Sequence, residues 1–336
     1  MIGMKSLFAF VVLSLAGALG GCSSSDGGGS SEKPTSGAGT AGKVGCEGTA
    51  YTEALPTSDD LSSLTYSKTQ AQQYMLDALA IRFPLGKYIL EGGLSSTLPA
   101  QQGSCFDRFI DDTSSGPAVL KQASTIVHEC GHFFDLDKGS GKTGAYVLRD
   151  DLEFACSDGD TTTRKGKTFA RSLLRKDGYY ASRPACVNKT AEGCDMYADT
   201  YLDGDPTDAT FESGDQGFNS VLEEATQYVN SLASAYAFRD AYAGTRATER
   251  DGILTFLWYI ERYLKIAHEQ YPDAYEVLSS ECWRQAILSV WDRGWFYLNA
   301  SNDVSALGID DAALETLVSD AALVAEIDAL RSMECK

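Results

Sequence analysis

Positive charge is scarce in this chain of 336 residues: 28 Lys and Arg stand against 47 Asp and Glu, for a formal net charge of −19. That balance excludes a nucleic-acid groove, because holding a phosphate backbone takes clustered cations that displace its counterions. No Cys-x-x-Cys pair occurs, which excludes a thiolate zinc knuckle. Internal repeats and a second linker are also missing, so residues 45 to 336 read as one unit, with room for two lobes around a cleft. Histidine is rarer still, at three residues. What is present in quantity is core-forming material, since 43% of the chain is hydrophobic and 10% aromatic.

The N-terminus carries an address. Lys5 precedes an apolar run from Leu7 to about Ala16, and small residues then lead to Cys22. This is the pattern of an export signal over residues 1 to 21, too short and wrongly flanked to span a membrane. Leu19-Gly20-Gly21-Cys22 resembles the lipobox of bacterial lipoproteins. That resemblance implies cleavage before Cys22, acylation of its side chain and attachment to a membrane. Ser23, standing where an aspartate would retain the protein at the inner membrane, implies the outer membrane or cell surface. After Cys22, residues to 44 are dominated by Ser, Gly and Thr with almost nothing apolar, the composition of a flexible tether.

The cysteines fit an oxidising compartment. Of nine, eight remain once Cys22 is set aside, an even number that suggests disulfides without revealing their pairing. Cys186 and Cys194, flanking a short loop, are the one local pair expected.

Hydrophobic periodicity predicts helices over 71–83, 116–135, 219–242, 248–270, 273–298 and 310–332. Short apolar runs at 87–91 and 145–149, bounded by Gly or Asp, read as strands, and Asp150 to Gly217 reads as long loops. The expected fold class is α+β with helix in the majority.

Two of the three histidines fall in Thr125-Ile-Val-His-Glu-Cys-Gly-His-Phe-Phe-Asp-Leu136. At about 100° per residue, Leu120, Ala123, Ile126, Val127, Cys130 and Phe134 share one arc of the helix. Lys121, Thr125, His128, Glu129 and His132 share the other. Both imidazoles therefore project together, as the first two ligands of a tetrahedral zinc ion must. Glu129 stands beside them in the position of a general base, while Cys130 points away into the core. The alternative is a solvated helix face with incidental histidines.

His128-Glu129-Cys130-Gly131-His132 resembles the HExxH motif of zincin metallopeptidases. Asp135 and Lys138 occupy the positions of the metzincin glycine and third histidine, so that subgroup fails. Gluzincins take a glutamate from a later helix, commonly before a small residue. Glu224, followed by Ala225 and bordering the apolar arc of Val221, Ala225, Tyr228, Val229 and Leu232, is the expected third ligand. Glu223, among Gln227, Asn230 and Ser234 on the polar side, is the alternative. The resemblance implies a zincin-like domain over 45–336 with a mainly helical C-terminal lobe. It also implies one catalytic zinc ion, a peptide or protein substrate, and Glu129 as base toward an activated water.

His268 reads as a core histidine on the line of Leu257, Ile260 and Leu264. An oxyanion donor or a replacement ligand are its other readings, and Tyr228 is one of several tyrosines able to donate. Asp203, Asp205 and Asp208 offer oxygen ligands for Ca2+, but their spacing is not that of an EF-hand, and a solvated turn is the default. The basic run 164–176 reads as a solvated face or a contact for acidic substrate or lipid headgroups. Two rival functions stay open: a non-catalytic, metal-containing surface lipoprotein, and a zinc hydrolase of non-peptide amides.

Overall fold

The computed structural model describes residues 51–97, 103–139, 143–158, 174, 196–202, 217–242 and 244–334. Its elements in chain order are α1 (Ala71–Arg82), α2 (Pro84–Ser95), α3 (Cys105–Phe109), α4 (Gly116–Leu120) and α5 (Ala123–Lys138). Next come β1 (Thr143–Arg149), β2 (Leu152–Ser157), α6 (Met196–Tyr201) and α7 (Phe218–Ala237). The chain continues through α8 (Glu249–Gln270), α9 (Pro272–Leu278), α10 (Glu281–Ala300), α11 (Asp311–Val318) and α12 (Ala321–Glu334). The class is α+β and helix-rich, as expected, with one two-stranded antiparallel sheet among the described residues. Cys22, the tether, Cys186, Cys194 and the Asp203, Asp205 and Asp208 cluster lie outside the described residues. Of the basic run 164–176 only Leu174 is described, and it is buried.

The expected strand at 87–91 is instead the middle of α2. Phe83, pushed out of helical geometry by the proline that follows, ends α1, and Pro84 then opens α2 at its first position. Gly92 and Gly93, which looked like a strand boundary, are packing residues. A Cβ on Gly93 would meet the Cys130 carbonyl oxygen at 2.1 Å, and one on Gly92 would meet the Phe134 ring at 2.4 Å. The two glycines let α2 lie backbone-close against α5.

Other predicted helices are found with breaks. The 116–135 helix divides where Gln122 turns its side chain back, accepting from Asp111 and Asp112 N–H and donating to the Asp112 and Ala118 carbonyls. The 273–298 and 310–332 helices divide likewise, into α9 with α10 and α11 with α12. The segment expected to be all loop contains β2 and α6. The strand expected at 145–149 is β1, which pairs with β2 through Ala145↔Ala155 and Tyr146↔Phe154.

Two crosslinks fasten the sheet and the motif helix. Cys156 of β2 is bonded to Cys282 of α10, and Cys130 of α5 to Cys105 of α3. The Trp283 indole N–H also donates to the Ser157 carbonyl at 2.7 Å. At the centre lies α7, buried along almost its whole length and packed against α5, α8 and α10. Among the described residues no helix is long and apolar enough to cross a membrane.

Candidate metal centre

Helix α5 buries both of its faces. Ile126, Val127 and Cys130 turn toward the packing with α2 and α3, and Cys130 is engaged in its disulfide, so its sulfur cannot join the histidines. The opposite, polar face is not solvated: His128, Glu129 and His132 are at most 8% exposed, because α7 lies across them.

The imidazole Nε2 atoms of His128 and His132 are 3.1 Å apart. Glu224 reaches both rings, with Oε2 3.5 Å from His128 Nε2 and Oε1 3.5 Å from His132 Nε2. These separations suit one shared ion. Two ligands held about 2.1 Å from a tetrahedral zinc are about 3.4 Å from each other. The second observation favouring a cation is that Glu224 Oε2 and Glu129 Oε2 are buried with no hydrogen-bond partner. Orphaned carboxylate oxygens cost free energy unless positive charge lies nearby. His128, His132 and Glu224 are thus the residues that could hold a metal ion.

Each ring is aimed by its other nitrogen. His128 Nδ1 lies 2.9 Å from Ser231 Oγ, whose own hydrogen is directed to the Ser124 carbonyl at 3.5 Å. The ring therefore donates from Nδ1 and presents Nε2 to the centre. His132 Nδ1 lies 2.9 Å from Glu223 Oε1. Glu223, the alternative ligand read from the sequence, thus faces the outer nitrogen of His132, where a carboxylate fixes ring orientation and raises basicity.

The electrostatics follow from this crowding. Burial would lower the His132 pKa, but Glu224 and Glu223 outweigh it and hold it well above 6.5. Burial would raise the Glu224 carboxyl, yet His132 and His128 pull it down to about 2. Without a metal, a proton on His132 takes the place of positive charge at the centre. Burial raises the Glu129 carboxyl, opposed by the two imidazoles. Behind Glu223, burial and the Glu223 charge push Asp135 well up, and burial likewise raises Glu223. Gln227 Nε2 donates to both carboxyls, at 2.8 Å to Asp135 and 3.3 Å to Glu223. Gly131 makes room for this amide, since a Cβ there would meet Gln227 Oε1 at 1.9 Å.

An aromatic wall closes one side. The Tyr228 ring packs edge-on to His128 at 4.8 Å and stacks on Phe256 at 4.9 Å. Gly252 allows that stack, because a Cβ would meet the Tyr228 ring at 2.3 Å. Burial raises the Tyr201 and Tyr228 hydroxyls well above 10, and the charge of Glu224 raises both further, joined at Tyr201 by that of Glu129.

His268 has neither the core role nor a role at this centre. It is exposed, with Nδ1 3.0 Å from Glu326 Oε2 and its ring stacked on Tyr275. The helical line through Leu257, Ile260 and Leu264 leaves the core at its last turn, where His268 stands at the end of α8. Ser231, Gln227 and Tyr201 are site residues that the sequence reading missed. Ser231 and Gln227 lie at helical spacing from Glu224 and Glu223, and that spacing was the available signal. A groove of about 540 Å³ between α8 and α11–α12 carries Arg262, Lys265 and Asp320 and none of the His–Glu cluster.

Comparison with known protein families, characterised proteins and solved structures finds no match to this chain.

Proposed function

We propose that this chain is a zinc-dependent peptidase with a zincin-like arrangement of α5 and α7, exported and held at the bacterial surface through acylated Cys22. One observation carries the reading: three ligand atoms from His128, His132 and Glu224 lie within 4.8 Å of one another, with the buried Glu129 carboxylate on the same helix face. A purely structural metal site has no use for that neighbouring base.

Zinc held by these three residues would supply Lewis acidity, lowering the pKa of a water molecule and polarising a carbonyl. The chain's own residues do the rest. Glu129, whose basicity burial enhances, takes a proton from the attacking water and delivers it to the leaving amine. Glu223 and Ser231 keep hydrogens on the outer nitrogens of the two rings, so that neither imidazole turns away. Tyr201 and Tyr228 offer hydroxyl donors toward negative charge developing beside Glu129 and Glu224. The substrate is a peptide or protein.

The test is Glu129→Gln. It should keep the metal and abolish chelator-sensitive cleavage of a peptide pool; cleavage at the wild-type rate would remove Glu129 from the mechanism.

A further inference from the structure

The polar face of α7 does not end at the metal centre. Gln227 Oε1 accepts from Asn230 Nδ2 at 2.9 Å, and Asn230 Oδ1 accepts from Arg293 Nη1 of α10 at 2.6 Å. Arg293 then donates from Nε to Glu53 Oε2 at 3.1 Å. Glu53 comes from the segment ahead of α1, and its carboxylate also accepts from the Tyr51 and Tyr297 hydroxyls. Gln227, Asn230 and Arg293 are no more than 1% exposed, and the Glu53 side chain is 3% exposed. A line of hydrogen bonds therefore runs from His132 Nδ1 through Glu223, Gln227, Asn230 and Arg293 to Glu53.

We infer that Glu53, Arg293 and Asn230 are positioning residues for His132, so that the metal affinity of the centre is set in part by docking of the Tyr51–Glu53 segment at the far end of this chain of hydrogen bonds. The inference rests on the metal reading proposed above. Its logic is directional. An amide has one donor end and one acceptor end, and Arg293 only donates. Asn230 must therefore turn its oxygen to Arg293 and its NH2 to Gln227. Gln227 must in turn point its own NH2 at Glu223 and Asp135. The guanidinium fixes the sense of both amides, and Glu53 fixes the guanidinium. Were Gln227 to flip, its oxygen would face two buried carboxyls and the Glu223 contact to His132 would be lost. Glu223, Gln227 and Asn230 share a face at helical spacing, and α5 and α10 cover that face on its two flanks.

The test uses the full chain, zinc alone as the probe, and competition with a chromophoric chelator well below the unfolding transition. Asn230→Asp keeps the acceptor for Arg293 but removes the hydrogen that orients Gln227. Glu53→Gln keeps the shape but removes the charge that anchors Arg293. Partners of metal-bound histidines are worth about 10–100-fold in affinity, and groups acting through such a partner should be worth less. Both variants should therefore weaken zinc binding by about 5-fold or more. The control is Glu334→Gln, which breaks a buried ion pair to Arg284 on the same α10 outside the relay; it should lower stability and leave zinc affinity unchanged. Relay variants that bind zinc as tightly as wild type, or lose no more affinity than the control, overturn the inference while leaving the metal reading intact. A wild-type protein that binds no zinc removes both.

Discussion

Glu223 holds the outer nitrogen of His132 at 2.9 Å, while its neighbour Glu224 faces the inner nitrogen of the same ring. Two consecutive carboxylates thus serve one imidazole from opposite ends. Their replacements should separate cleanly. Glu224→Ala should abolish tight zinc binding, whereas Glu223→Gln, which keeps an acceptor oxygen, should cost about 10–100-fold in affinity. Calorimetric zinc titration reads both, and the reverse order would make Glu223 the ligand.

Zinc and protons should compete for His132. In the apoprotein its raised pKa contributes stability that is fully present below 6.5 and is lost as pH rises through the folded value. Glu224, lowered from 4.5 to about 2, contributes stability that is present above 4.5 and is lost as pH falls toward 2. The apo cluster is therefore best satisfied between these limits. Zinc binding just above pH 6.5 should release about one proton per ion, and the zinc-induced rise in Tm should grow with pH. Calorimetry in buffers of different ionisation enthalpy counts the proton; a count of zero would mean that His132 binds zinc without first being charged.

Tyr201→Phe should leave zinc affinity close to wild type and lower kcat by roughly 100-fold if its hydroxyl stabilises developing charge. Burial, reinforced by the negative charges of Glu224 and Glu129, raises its pKa well above 10 and keeps it a neutral donor. A change confined to KM would instead assign Tyr201 to substrate binding.

The legible part of the site was the part with local spacing. His128, Glu129 and His132 follow from one helical turn, and Glu224 from the apolar arc around it and the small residue after it. Its supports were not legible. Glu223, Gln227 and Asn230 look like a solvated stripe in sequence, and only the packing of α5 and α10 on α7 buries them. The same limit explains α2, where a short apolar run ahead of two glycines is equally a strand or a close-packed helix until its neighbour is known. Disulfide pairing was beyond reach for a related reason, since Cys156 and Cys282 meet across 126 positions of sequence.

The bond between Cys105 and Cys130 closes a loop of 25 positions beside His128 and His132. Replacing both cysteines by alanine should cost roughly 3–4 kcal/mol of stability by chain entropy. Zinc affinity should persist, because Cys130 faces away from the imidazoles. Urea unfolding and a zinc titration of the same double variant check the two halves, and loss of zinc binding in a folded variant would show the crosslink to be part of the centre.

Glu261 of α8 is fully buried and neither oxygen finds a hydrogen-bond partner among the described residues. Burial, reinforced by Asp320, raises its pKa from 4.5 to about 9. Its contribution is present below 4.5 and is lost as pH rises toward 9, since the unfolded chain ionises freely and the folded one does not. Glu261→Gln should thus stabilise the protein at neutral pH by on the order of 1 kcal/mol, the new amide being unpartnered as well. The gain should vanish in acid, and an equal gain at both pH values would rule out ionisation as its cause.

The most direct measurement is the metal content of the purified full-length chain, set beside that of His128→Ala, His132→Ala and Glu224→Ala. One zinc per chain in the wild type, and none retained after dialysis in each variant, is the expected result. A folded wild-type protein that takes up no divalent metal, or variants that hold it as firmly as wild type, would contradict the account at its centre.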